Sequence, residues 1–248
     1  MWRSIGARAQ GAAHASNGLP CQDAFACATL GDHMAALAVA DGAGSAPFSR
    51  TGAEFAVERA IRYLRNVADL VAEPTVWLSG VRGAIAAARG RIFDYARSQG
   101  LDAQQFATTL QVVLLGRAGC CYGRVGDGGG VGRLDGALVP LAPAPDNDFV
   151  NETHFLTSLN CRPEVFFHPG PMSDCAIFTD GIQHLAMHLA QWTPHDPFFV
   201  PLFDFARTQS DTGAAQAKLG AYLETERFDR RKDDDRTLVI SVWTGDAA

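Results

Sequence analysis

Asp41 ends an unbroken apolar run, Ala36, Leu37, Ala38, Val39, Ala40, and is followed by the small residues Gly42, Ala43, Gly44 and Ser45. A continuous apolar run of strand length is buried on both faces, so a carboxylate at its end is held at the rim of a core. The pattern recurs along the chain. Ala176, Ile177, Phe178 and Thr179 lead into Asp180 and Gly181; residues 122–126 lead into Asp127 and Gly128; Asp233, Asp234 and Asp235 stand just before Leu238, Val239 and Ile240. A single Asp followed by Gly reads equally well as a tight turn. Carboxylates repeated at strand ends from one end of the chain to the other form the donor set that hard divalent cations require, with Asp41 at the centre.

The elements that must hold these residues follow from hydrophobic spacing. Residues 2–9, 23–30 and 33–40 read as strands, with Gly31 and Asp32 as the hairpin between the last two. Asp32 leads directly into another strand, whereas Asp41 leads into a small-residue loop and then a helix. That helix begins near Ser49, a potential cap, and places Val57, Ile61, Leu64 and Ala68 on one face. A second helix has Pro74 near its start and a stripe of Trp77, Val81, Ile85, Ala88, Ile92 and Tyr95. Strands are expected over 106–115, 119–125, 130–134 and 137–141, the last two joined at Asp135 and Gly136. Further strands are expected at 164–168 and 174–179, helices at 182–190, 201–208 and 214–226, and a closing strand at 237–243. Hairpin-linked strands beside separate helices predict an α+β fold with antiparallel sheets. Segment 142–160, with Pro143, Pro145, Asp146, Asn147, Asp148, Asn151 and Glu152, reads as an irregular, flap-like loop.

The chain has 248 residues and 47% hydrophobic content, enough for one large core, and no linker divides it, so residues 1–248 are read as a single domain. A formal net charge of −6 disfavours a nucleic-acid surface; the cluster Arg230, Arg231, Lys232 is followed at once by three aspartates. No apolar stretch has signal-peptide or membrane-spanning character, and a cytoplasmic location is expected. Cys21, Cys27, Cys120, Cys121, Cys161 and Cys175 lack Cys-x-x-Cys spacing and read as reduced thiols.

Cys21, Gln22, Asp23, Ala24; Ala40 to Ser45; Thr108, Thr109, Leu110; Gly126, Asp127, Gly128; Thr179 to Ile182; and Asp234 to Thr237, taken in order, resemble the motifs of metal-dependent PPM-type (type 2C) serine/threonine protein phosphatases, especially compact bacterial members. The resemblance implies a four-layer αββα sandwich of two antiparallel β-sheets flanked by helices. It implies two Mn²⁺ or Mg²⁺ ions, with a weaker third, and a bridging water activated for in-line hydrolysis of phosphoserine or phosphothreonine. Asp41 would bridge the two ions, Gly42 would offer its carbonyl to one, and Asp180 and Asp234 would complete the shell of the other. Asp23 would act through water, and Asp127 would serve the third ion. The implied partner is a phosphorylated protein, opposing a serine/threonine kinase.

Three positions depart from the family pattern. Ala43 stands where many members carry a histidine, Gln22 where glutamate is common, and no arginine is clearly at the N-terminal phosphate-binding position, for which His14 and Arg8 are the candidates. These departures keep open a non-catalytic phosphoprotein-binding module on the same fold. Asp233, Asp235 and Thr237 also spell the Asp-x-Asp-x-Thr nucleophile motif of another phosphatase superfamily, but residues 228–232 are too charged for the buried strand that motif needs. His184 and His188 have metal-sharing helical spacing, yet Leu185 occupies the place of a catalytic glutamate, so they read as ordinary helix histidines.

Overall fold

The computed structural model describes residues 1–67, 74–116, 119–144, 154–225, 228 and 234–245. Two five-stranded antiparallel sheets lie at its centre. The first runs β1 (Trp2–Ala9), β12 (Arg236–Trp243), β9 (Met172–Phe178), β6 (Gly129–Leu134), β7 (Ala137–Pro140). The second runs β2 (Ala24–Leu30), β3 (Met34–Ala40), β4 (Leu110–Gly116), β5 (Gly119–Val125), β8 (Glu164–Pro169). The long helices α2 (Ser49–Val67) and α3 (Pro74–Ser98) cover the second sheet; α4 (Asp180–Ala186), α5 (Asp196–Thr208) and α6 (Thr212–Leu223) cover the first. A short α1 (Ala12–Ser16) follows β1, and Met187–His188 pairs with Thr193–Pro194 as the two-residue strands β10 and β11.

Side-chain alternation explains why the strands read as continuous apolar runs. In β3, Ala36, Ala38 and Ala40 face α2 and α3, while Ala35, Leu37 and Val39 enter the layer between the sheets. In β12, Leu238, Ile240 and Val242 face the helices of the other side and Val239 faces inward. Fully burying each Leu, Ile or Val contributes about 1.5–3 kcal/mol, so the double burial of the central strands holds their ends firmly in place.

The expected strand at 106–115 starts later, at Leu110. Phe106 closes a 3₁₀ turn, Ala103–Phe106, whose first turn is capped by the Asp102 carboxylate accepting the Gln104 amide at 2.9 Å. The expected helix at 182–190 is displaced to Asp180–Ala186, because Met187 turns extended and Ala186 O instead accepts the His195 amide at 2.8 Å. His188 therefore lies off that helix and contacts the ring of His195. The helix expected at 201–208 begins at Asp196 and contains Pro201. Ser49 is the first helical residue, and its buried hydroxyl has no hydrogen-bond partner, so it does not cap α2. Ala68, residues 145–153 of the flap-like segment, and residues 229–233 lie outside the described residues.

Candidate metal centre

Strand register gathers the acidic strand ends at one edge of both sheets. Ala24 pairs with Ala40, which sets Asp23 and Asp41 side by side in the second sheet. In the first sheet Phe178 pairs with both Leu238 and Gly129, bringing together the ends that carry Asp180, Asp234 and Asp127.

The backbone of Asp41 is clamped from β4. Its amide donates to Thr109 Oγ1 at 2.9 Å, and its carbonyl accepts the Thr108 hydroxyl and the Thr109 amide, both at 2.8 Å. Gly42 makes an isolated bridge with Thr108 whose bonds are made by Asp41 O and Ala43 N, leaving the Gly42 carbonyl unused by that bridge. A side chain at 42 would lie 2.8 Å from Gln22 O and from the Ser49 backbone, so the close approach of the loop to α2 demands glycine.

Asp23 is 1% exposed, whereas Asp41, Asp127, Asp180 and Asp234 keep partial access to solvent. Burial, opposed in part by the Thr179 hydroxyl, pushes the Asp23 carboxyl up to about 7. Burial and then the charges of Asp234, Asp127 and Asp23 push Asp180 up to about 7 as well. Asp41 is raised well above the ordinary carboxylate value by burial and by Asp23, Asp180, Asp234 and Asp127 in turn. Asp234 is also raised, chiefly by burial, while the Asp235 amide donates to its Oδ1 at 3.1 Å and pulls the other way. Asp41 thus feels the charge of all four other sequence-predicted carboxylates. Asp23 Oδ1 and Asp180 Oδ1 are buried without a hydrogen-bond partner. Among the described residues no group of three or more His, Cys, Asp or Glu side chains is arranged to hold a metal ion. An all-oxygen set with orphaned carboxylate atoms fits Mn²⁺ or Mg²⁺.

The two phosphate-binding candidates both contact residues at the acidic edge. Arg8 donates to the Asp23 carbonyl at 2.5 Å and reaches toward Glu54 at 3.9 Å. His14 Nδ1 lies 2.9 Å from Asp235 Oδ2 but out of hydrogen-bond alignment. Asp235 is the residue whose role sequence reading missed. It is 2% exposed, and its two oxygens accept the Gly11 amide at 2.7 Å and the Gln22 amide at 2.6 Å. Its carboxylate therefore fastens the chain entering β2 to the start of β12.

Gln111 was also missed. It bridges the two sheets, donating to Phe178 O at 2.8 Å and accepting the Tyr122 hydroxyl at 2.9 Å. A lone glutamine inside an otherwise apolar strand was the available signal, since a buried amide must find partners. Its Nε2 would lie 2.0 Å from a Cβ at Gly128, whose φ is +95°, so the Asp127 turn is shaped around it.

Residues 10–224 match the family described as Protein phosphatase 2C. The chain belongs to the protein phosphatase 2C family. As a member it is a protein phosphatase. The sequence is 35% identical to Serine/threonine-protein phosphatase 3 of Escherichia coli (strain K12), covering 98% of both chains. Among solved structures, a bacterial serine phosphatase superposes over 100% of both chains with a TM-score of 0.70 at 13% identity. The catalytic domain of the serine threonine protein phosphatase PstP, in complex with two manganese ions, superposes over 97% of both chains with a TM-score of 0.63 at 16% identity. These structures share the αββα architecture. Within the family fold, Ala43 packs with Ala46, Ala107 and Phe155, so an apolar contact fills the position where many members carry histidine.

Proposed function

We propose that the chain is a metal-dependent serine/threonine protein phosphatase whose acidic edge holds two Mn²⁺ or Mg²⁺ ions. The observation that carries this reading is Asp41, raised by burial and by four neighbouring carboxylates and clamped through its backbone by Thr108 and Thr109. A fold that concentrates like charge in this way is poised for cations. Asp41 would be shared between the ions. Gly42 O would serve one ion, Asp180 and Asp234 the other, Asp23 would act through intervening water, and Asp127 would hold a weaker third. When bound, the ions would acidify a water for in-line attack on phosphorus and offset the charge of the ester.

The chain's own groups set the geometry for that reaction. Thr108 and Thr109 fix the direction of Asp41, Thr179 orients Asp23, and Gln111 fixes the Phe178 carbonyl just ahead of Asp180. Arg8 holds the Asp23 backbone through its carbonyl. The substrate is a phosphorylated protein, with a serine/threonine kinase as the opposing activity. The six cysteines are free thiols and, among the described residues, no helix is long and apolar enough to cross a membrane.

The test is hydrolysis of a phosphothreonine peptide by metal-stripped protein after Mn²⁺, Mg²⁺ or Zn²⁺ is restored. Turnover with Mn²⁺ or Mg²⁺ that disappears in Asp41→Asn supports the proposal. Folded protein that binds the peptide but never turns it over, with any metal, assigns the chain to phosphoprotein binding instead.

A further inference from the structure

The helical layer formed by α2 and α3 runs against the charge of the rest of the molecule. Its two helices carry eight arginines and three carboxylates, in a chain whose formal net charge is −6. Those carboxylates are already taken: Glu54 lies beside Arg50 and Arg8, Glu58 pairs with Arg62 at 2.6 Å, and Asp94 lies 3.7 Å from Arg97.

Between the helices is a cavity of about 280 Å³ lined by Phe55, Glu58, Arg59, Arg62 and Arg91. Three guanidinium groups thus face one carboxylate, and among the described residues no carboxylate pairs with Arg59 or Arg91. The Arg91 guanidinium is stacked 4.2 Å over the Phe55 ring and 5.4 Å from the Tyr95 ring. Such stacking restricts the side chain while leaving its N–H edge available for an oxyanion. Glu58 also lines an adjoining groove of about 400 Å³, together with Arg8, Ala24, Phe25, Ala26, Glu54 and Val57. That groove follows β2, which is an edge strand of its sheet.

We infer that the α2–α3 cavity binds a phosphoryl group carried on a polypeptide, at a second site separate from the acidic edge. The arginine fork geometry suits a tetrahedral dianion, and the adjoining groove along the edge strand β2, apolar at Ala24, Phe25, Ala26 and Val57 and charged at Arg8, Glu54 and Glu58, suits the extended peptide that carries it.

The test uses metal-stripped protein, so that no metal-bound phosphate at the acidic edge contributes to the binding read. A fluorescent phosphothreonine peptide is titrated by polarisation into wild type, Arg59→Gln, Arg91→Gln and, as a charge-matched control outside the cavity, Arg97→Gln. Wild type and Arg97→Gln should bind alike, and each cavity variant at least tenfold more weakly. The unphosphorylated peptide should not bind, and affinity should fall with added salt. Aryl phosphate turnover with Mn²⁺ restored should be unchanged in both cavity variants, so binding is judged independently of the proposed catalysis. Equal binding by all four proteins overturns the inference. So does displacement of the peptide by inorganic phosphate at equal concentration, or tighter binding of a single-stranded oligonucleotide than of the phosphopeptide.

Discussion

Thr179 donates its hydroxyl hydrogen to Asp23 Oδ2 at 2.8 Å and in turn accepts the Thr237 amide at 3.0 Å. One hydroxyl therefore joins the buried carboxylate of the second sheet to two neighbouring strands of the first. Removing it would leave a carboxylate oxygen and a backbone amide unsatisfied in a buried site. Thr179→Val should cost about 1–3 kcal/mol in denaturant unfolding and depress turnover, whereas Thr179→Ser should retain most of both. Wild-type stability in the valine variant would contradict this role.

The raised carboxylates set the pH response of the metal-free protein. Burial pushes Asp23 and Asp180 up to about 7 in the folded state, and burial with the neighbouring carboxylates raises Asp41 well above the ordinary carboxylate value of about 4. The folded state binds these protons more tightly than the unfolded chain. Their stabilisation is therefore complete below about pH 4 and is lost as pH rises through about 7. Thermal melts in chelator should show wild type losing more stability between pH 4.5 and 8 than Asp41→Asn, with the mutant the more stable at pH 8. Parallel curves for the two proteins would remove the repulsion argument.

Gly128→Ala should be damaging for two reasons, its φ of +95° and the approach of Gln111 Nε2 to within 2.0 Å of the added carbon. Gln111→Leu should destabilise by about 1–3 kcal/mol by stranding the Phe178 carbonyl and the Tyr122 hydroxyl. Tyr122→Phe, which keeps the amide bond to Phe178, should cost less. Chemical unfolding of the three variants checks the order.

Asp235→Ala would leave the Gly11 and Gln22 amides without their acceptors. Hydrogen bonds to a charged acceptor carry about 1.5–3 kcal/mol each, so a loss of at least 2 kcal/mol is expected. Asp235→Asn should fall between alanine and wild type, since its amide nitrogen cannot accept. A neutral alanine substitution in denaturant unfolding would show that the anchor is not needed.

The strands that carry the site were legible because they are buried on both faces: residues 36–40 and 176–178 announce themselves by apolar continuity, and Asp41 and Asp180 by interrupting it. Helix boundaries were less legible. The end of α4 depends on Ala186 O accepting the distant His195 amide, and Phe106 is drawn into a turn where its ring packs with Phe48 and Tyr95. Asp235 was obscured by its neighbours: in a run of three aspartates, sequence does not show which carboxylate turns toward amides more than 200 residues away in the chain. Arg8 and His14 illustrate the same limit, since their partners, Asp23 O and Asp235, are set by tertiary packing.

The most direct test of the account is calorimetric titration of Mn²⁺ into the metal-free protein, with Asp41→Asn and Asp127→Ala alongside. Wild type should bind two ions tightly per chain, Asp41→Asn should lose that pair, and Asp127→Ala should keep it and lose only weaker binding. Undiminished binding by Asp41→Asn, or no binding by folded wild type, would contradict the claim that the acidic edge is a metal centre organised by Asp41.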